Sequence, residues 1–216
     1  MSAVSRIAVA GRAWRNRPIA ALESAAREGV RPAVVLALEP DDLQGWITAL
    51  WPAAEVRDAT EYLPGMRRAA AGVEPAGGEP PVRPDLALLH YPFADEDGAL
   101  YSRGDVRDDE VDRLIVRAAA RVVVTVDEVL TRAQGRRAVA SKRWDAGEIA
   151  DVRHVPFGAF PASSDGLYRA DASARDALTT WAAVARSNGS DRLQALTTAT
   201  RLAGVSLPHG LEWPGR

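Results

Sequence analysis

Short apolar runs alternate along the chain with longer segments of helical period, the alternation expected of a parallel sheet with crossover helices. The runs are RIAVAG (6–11), AVVLALE (33–39), AEVRDAT (54–60), LALLHY (86–91) and RVVVTVDEV (121–129). Valine, leucine and alanine dominate them, as suits strands covered on both faces. Five strands are therefore the minimum. PIAALESAAREG (18–29) opens with Pro18 and closes at Gly29, the punctuation of a helix. Val111, Leu114, Ile115, Ala118 and Ala119 trace one apolar helical stripe just before the fifth run, and Ala174, Leu178, Trp181 and Ala185 trace another. DRLQALTTATRLAG (191–204) reads as a last helix ending at Gly204. EPAGGEPPVRPD (74–85) reads as a surface connection, because the strand pattern resumes directly after it, and TRAQGRRAVASKRWDAGE (131–148) reads as a second polar excursion. The class is α/β, an open parallel sheet with crossover helices. One domain is expected over residues 1–187, with a C-terminal helix and tail, 188–216, packing on it.

Composition narrows the function. The 216 residues are 47% hydrophobic and 26% charged, enough to bury a proper core. A net charge of -2, with arginines interspersed among aspartates and glutamates, provides no basic field, so no nucleic-acid partner is expected. Cysteine is absent, which excludes disulfides, thiolate metal sites and a cysteine nucleophile. No run of about 18 apolar residues occurs, so no membrane span is predicted. The N-terminal apolar run is too short for a signal peptide, and a cytoplasmic location is expected. His154 and His209 have no partners at ligand spacing, so no metal site is expected. Ser163 and Ser164 lie in no G-x-S-x-G context. The loop after the first run has one glycine, Gly11, where a dinucleotide fingerprint has three, and it lacks the G-K-[ST] of a P-loop.

In an open parallel sheet, ligands sit where the carboxyl ends of the strands give way to loops. That rule nominates Gly11, Arg12 and Arg17 after the first run, Glu61 after the third, HYPFADEDG (90–98) with His90 and Asp95 after the fourth, and Thr125 to Glu128 after the fifth. Each also has a plain structural reading. Gly11 makes a tight turn, the arginines are solvated, Asp95 and Asp97 shape a turn, and His90 bonds a backbone carbonyl. Glu61 belongs to the first turn of a helix, where a carboxylate suits the helix dipole. RHVPFGAFPASSDGLYRAD (153–171) holds two phenylalanines and a tyrosine without helical or strand period.

PDLALLHYPFADEDGAL (84–100), AAARVVVTVDEVL (118–130) and VPFGAFPASSDGLYRAD (155–171), in this order, resemble the alpha subunit of the family I coenzyme A transferases, the glutaconate coenzyme A-transferase type. VAGRAWRNRPIAALESAAREG (9–29) is similar to the start of that family, especially of its ring-opening hydrolase branch. The resemblance implies a coenzyme A transferase fold, a beta subunit of the same fold as partner in a hetero-oligomer, and an acyl-coenzyme A thioester as substrate. Coenzyme A would enter as part of that substrate, with no permanently bound cofactor. In the transferases a beta-subunit glutamate attacks the thioester, and this chain would supply pocket walls. In the hydrolase branch an alpha-subunit glutamate acts as acid or base, and Glu61 matches its position. Gly11, Arg12, Arg17, His90, Asp95 and Glu128 would contact substrate or coenzyme A, with Arg17 meeting a phosphate or carboxylate. Transfer and hydrolysis or ring opening both stay open.

The chain also departs from the pattern. Ala99 replaces an asparagine, Phe160 replaces a histidine, and little stands between Gly72 and Pro84 where relatives carry an insertion. These departures support an alternative, a non-catalytic binding or scaffold subunit with a degenerate pocket. A sugar-phosphate isomerase-like or effector-sensing domain would need a phosphate-cradling glycine-rich loop, and none is evident. Phe157, Phe160 and Tyr168 are expected to fill either a partner seam or a groove over the chain's own core, and Asp171 to cap the following helix. An obligate partner interface would bury on the order of 2,000 Å² or more.

Overall fold

The first, second and fourth apolar runs become strands whose side chains serve two helical layers at once, while the third forms a half-exposed edge strand. The computed structural model describes residues 5–10, 16–73, 81–102, 109–137, 141–164, 167–170 and 172. Its elements are β1 (Arg6–Val9), α1 (Ile19–Arg27), β2 (Val34–Ala37), α2 (Pro40–Leu50), β3 (Glu55–Asp58), a 3-10 turn (Ala59–Tyr62), α3 (Leu63–Ala70), β4 (Leu86–Asp95), β5 (Leu100–Ser102), α4 (Asp109–Ala118), β6 (Val122–Leu130), α5 (Arg132–Arg137), β7 (Ser141–Trp144) and β8 (Val152–His154). They form one eight-stranded sheet. Six strands are parallel, in the spatial order β3-β2-β1-β4-β6-β8. β5 and β7 add an antiparallel extension.

Alternation along each strand separates two cores. Ile7, Val9, Val35, Leu88 and Val123 face α1 and α2, where Leu22, Trp46 and Ile47 cover them. Ala8, Leu36, Ala87, Leu89 and Val124 face α3 and α4, where Met66, Ala69 and Ile115 cover them. A carboxylate fastens the sheet's amino edge. Asp85 Oδ2 accepts from the Ser5 and Arg6 amides, each at 2.8 Å, which ties the start of β1 to the start of β4.

β4 places the site. β6 pairs with it from Ala87 to Asp95 on one edge. The other edge is shared, with β1 beside Leu86–Leu88 and β5 beside Phe93–Ala94. Between these pairings, along Leu89–Pro92, no described strand covers that edge, and Pro92 has no N–H to offer one. This is where β1 runs out and its loop departs.

Two expectations need correction. The polar excursion at 131–148 contains α5 and β7. β7 is mostly polar in sequence, yet Arg143 and Trp144 are both buried, so a guanidinium that a count of apolar residues overlooks goes inside beside a single indole. The helices expected at 174–185 and 191–204, and the division near residue 187, lie outside the described residues. No described helix is long and apolar enough to cross a membrane.

Candidate functional site at the carboxyl edge

His90 and Thr125 are register partners on adjacent parallel strands, so their side chains share a face, and Asp127 follows two residues on along the same face. The three side chains meet. His90 Nε2 stands 2.9 Å from Asp127 Oδ2 and Nδ1 stands 3.0 Å from Thr125 Oγ1. All three residues are buried. With Nε2–H donating to the carboxylate, Nδ1 is left to accept from the threonine hydroxyl, so the partners select the tautomer.

The irregular segment 155–168 closes over this pair. Asp127 Oδ1 accepts from the Gly158 amide at 2.8 Å and from the Tyr168 hydroxyl at 3.2 Å, and that hydroxyl in turn accepts from the Ala159 amide at 3.1 Å. One carboxylate thus collects a histidine, a phenol and a backbone N–H. Burial, reinforced by the negative Asp127 beside it, pushes the Tyr168 phenol above its ordinary range, so the phenol stays a donor. Phe157 packs on the Tyr168 ring with centroids 5.4 Å apart, while Phe160, Pro161 and Ala162 are buried. The segment also clamps the start of α1, since the Asn16 amide donates to the Ser163 carbonyl and the Ala20 amide to the Gly158 carbonyl.

Backbone strain gathers at the same edge. The non-glycine residues with positive φ among those described are Asn16 (50°), Glu39 (52°) and Phe157 (60°). Asn16 leads into α1, Glu39 follows β2, and Phe157 precedes Gly158. Asparagine adopts this region readily, but glutamate and phenylalanine do so at a cost, and such residues concentrate where function demands a geometry. Arg17 supports the β2 turn. Its side chain is fully buried, Nη1 donates to the Leu38 carbonyl at 2.7 Å, and Nη2 meets Glu39 Oε2 at 3.1 Å.

The structure distributes the sequence candidates unevenly. His90 bonds neither a carbonyl nor open solvent; both its nitrogens are held by Thr125 and Asp127. Arg17 is not a solvated arginine but a buried strut. Asp95 closes the β4–β5 turn, with Oδ1 accepting from the Asp97 and Ala99 amides and Oδ2 from the Tyr101 hydroxyl at 2.8 Å. Glu128 is half-buried on β6, opposite Phe93. Gly11 and Arg12 lie outside the described residues, as does Asp171.

Glu61 precedes the apolar Tyr62 and Leu63, yet they do not bury it. It is exposed, in a 3-10 turn capped by Asp58, whose Oδ1 accepts from the Thr60 amide at 2.8 Å. β3 is the edge strand, three strand spacings from β4, so Glu61 stands roughly 14 Å across the sheet from the His90 column. Asp127 lies in the nominated stretch Thr125 to Glu128 without having been named by itself, and Gly158 and Tyr168, which join its network, were not among the nominated ligand contacts. The available signal was the T-x-D pattern on β6 opposite the His of β4, since period-two alternation puts those three on one face.

No protein-family profile matches the sequence, and no curated protein matches it. Solved structures match by fold. Glutaconate coenzyme A-transferase from Acidaminococcus fermentans superposes with a TM-score of 0.63 at 18% identity, covering 93% of this chain and 90% of that one. The chain has the coenzyme A transferase fold. A variant of the decarboxylase AibA/AibB is similar too, with a TM-score of 0.65 at 21% identity over 90% of this chain and 92% of that chain. On the coenzyme A transferase fold, the edge built by His90, Asp127 and Gly158 lies where the carboxyl ends of the parallel strands open, the usual ligand position for such sheets.

Proposed function

We propose that the chain is the alpha-type component of a two-component enzyme acting on an acyl-coenzyme A thioester. One observation carries this reading. The three separate segments whose sequence resembles the transferase alpha subunit contribute His90, Asp127, and the Gly158–Tyr168 pair to a single buried network at the carboxyl edge. Motifs that resemble one family and converge at the ligand end of that family's fold support a common use of that end.

In this reading the network positions the edge and does not itself react. Both His90 nitrogens and both Asp127 oxygens are taken up within the chain, so none is poised toward a thioester. The covalent nucleophile then belongs to the partner, a beta-type subunit of the same fold. Glu61, exposed on the carboxyl side, is the acid or base this chain offers to a substrate held between the two subunits. The same saturation of His90 and Asp127 favours a second reading, a scaffold subunit that shapes the complex without taking part in chemistry.

Assay of the complex with a panel of acyl-coenzyme A thioesters separates these. Hydrolysis adds water across the thioester and releases an acid and a free thiol, which a thiol reagent detects. Transfer moves coenzyme A to an acceptor carboxylate and releases no thiol, so mass spectrometry of the new thioester detects it. Turnover by either route that falls on Glu61→Gln supports the enzymatic reading with Glu61 in its role. Turnover untouched by that change supports the scaffold reading, and no turnover with any thioester contradicts the proposal.

A further inference from the structure

We infer that a groove between α3 and α4 binds a small phosphate-bearing ligand, on the opposite layer of the molecule from the carboxyl-edge network. α3 and α4 cover the face bearing Ala87, Leu89 and Val124, whereas His90, Thr125 and Asp127 lie on the face turned toward α1 and α2. The groove is open to solvent, has a volume of about 420 Å³, and is lined by Arg67, Arg113 and Arg117 together with the apolar Ala70 and Leu114. That volume lies within the range of small-molecule sites, roughly 300–1,000 Å³.

Its charge is lopsided. Glu110 is the acidic residue on the lining, and it precedes Arg117 by seven residues, about 10 Å along the helix, so it leaves the Arg117 end positive. The side chains of Arg67 and Arg117 make no hydrogen bond or ion pair with any described residue. Arg113 is held in place, its guanidinium 4.8 Å from the centre of the Trp144 ring and donating to the Arg143 carbonyl. A guanidinium carries five N–H donors in a planar fork that matches phosphate oxygens two at a time. One fixed and two uncommitted guanidinia beside the apolar Ala70 and Leu114 suit a compact dianion attached to an apolar body. An acidic protein segment would call for a longer and flatter surface.

A competing account is that Arg67 and Arg117, in the last turns of their helices, merely offset the helix dipoles. This inference does not rest on the thioester reading, and its test reads binding without turnover. Pyrophosphate is titrated calorimetrically into the purified protein, together with any partner that co-purifies. Saturable binding is expected, weakened about tenfold or more in the Arg67→Ala/Arg117→Ala double variant and unchanged in Arg27→Ala, an exposed arginine outside the groove. The inference is overturned if the protein as purified shows no saturable binding, or if the double variant binds as well and loses only thermal stability. Binding of a glutamate-rich peptide at these arginines without any pyrophosphate binding would overturn it in favour of a partner's acidic segment.

Discussion

A β-carbon at position 158 would lie 2.9 Å from His90 Cε1 and 2.9 Å from the Val155 carbonyl oxygen, closer than real side chains approach. Gly158 is therefore glycine because the crossing segment must press its backbone onto the imidazole to reach Asp127. Gly158→Ala is expected to destabilise the protein by about 1–3 kcal/mol, the usual cost of overpacking, and an unshifted urea midpoint would contradict this. Asp127→Ala goes further. It leaves the His90 Nε2–H, the Gly158 N–H and the Tyr168 hydroxyl without their acceptor, and a loss of about 3 kcal/mol or more is expected in the same measurement. Glu61→Gln should do the reverse, costing about 1 kcal/mol or less of stability from an exposed first-turn position while lowering turnover of the complex by roughly two to four orders of magnitude. His90 was legible as a candidate because it ends an apolar run. Asp127 was not singled out, because its partners come from residues 31 and 37 positions away, and such a pairing is visible only once strand register is known.

α1 and β8 are joined by charge. Arg153 on β8 donates to both Asp151 oxygens at 2.7 and 2.8 Å, to the Ser24 hydroxyl of α1 at 2.8 Å and to Glu28, while Arg121 meets Asp151 at 3.1 Å. Hydrogen bonds from Arg153 are the largest cause holding the Glu28 and Asp151 carboxyls below their ordinary values of 4.5 and 3.8. A carboxyl depressed in the folded state contributes stability above its unfolded pKa and loses it as pH falls through the folded one. The contribution is present at neutral pH and fades progressively as the pH falls below about 4, and for partly exposed groups it amounts to about 1 kcal/mol or less. Urea midpoints between pH 7 and pH 3 should thus fall further for the unaltered protein than for Arg153→Met; parallel declines would show that the network is idle. At this scale the chain was readable where apolar residues formed the element. β1 to β4, β6, α1 and α4 all emerge from period and punctuation, whereas β7 and β8 rely on buried or paired arginines that hydropathy scores as surface.

The α/β class, the largely parallel sheet and the strands β1 to β4 and β6 were legible in the sequence, whereas the spatial order β3-β2-β1-β4-β6-β8, the antiparallel β5 and β7, the edge strand β8 and the helices α2 and α5 were not. The site was legible only as an edge. The sheet's carboxyl end was nominated by rule, but its candidates divide between the buried His90 network and an exposed Glu61 three strands away, and nothing in local sequence reports that distance. The edge has its polar groups saturated from within and is flanked by strained turns at Glu39 and Phe157, which suits either a half-site completed by a partner or a scaffold. The most direct test is turnover of an acyl-coenzyme A thioester at fixed concentration of this chain while a candidate beta-type subunit is titrated in. The account predicts no turnover from either component alone and activity that rises to a plateau at a fixed subunit ratio. Full activity from this chain alone, or activity set by the second subunit alone and indifferent to this one, would contradict it.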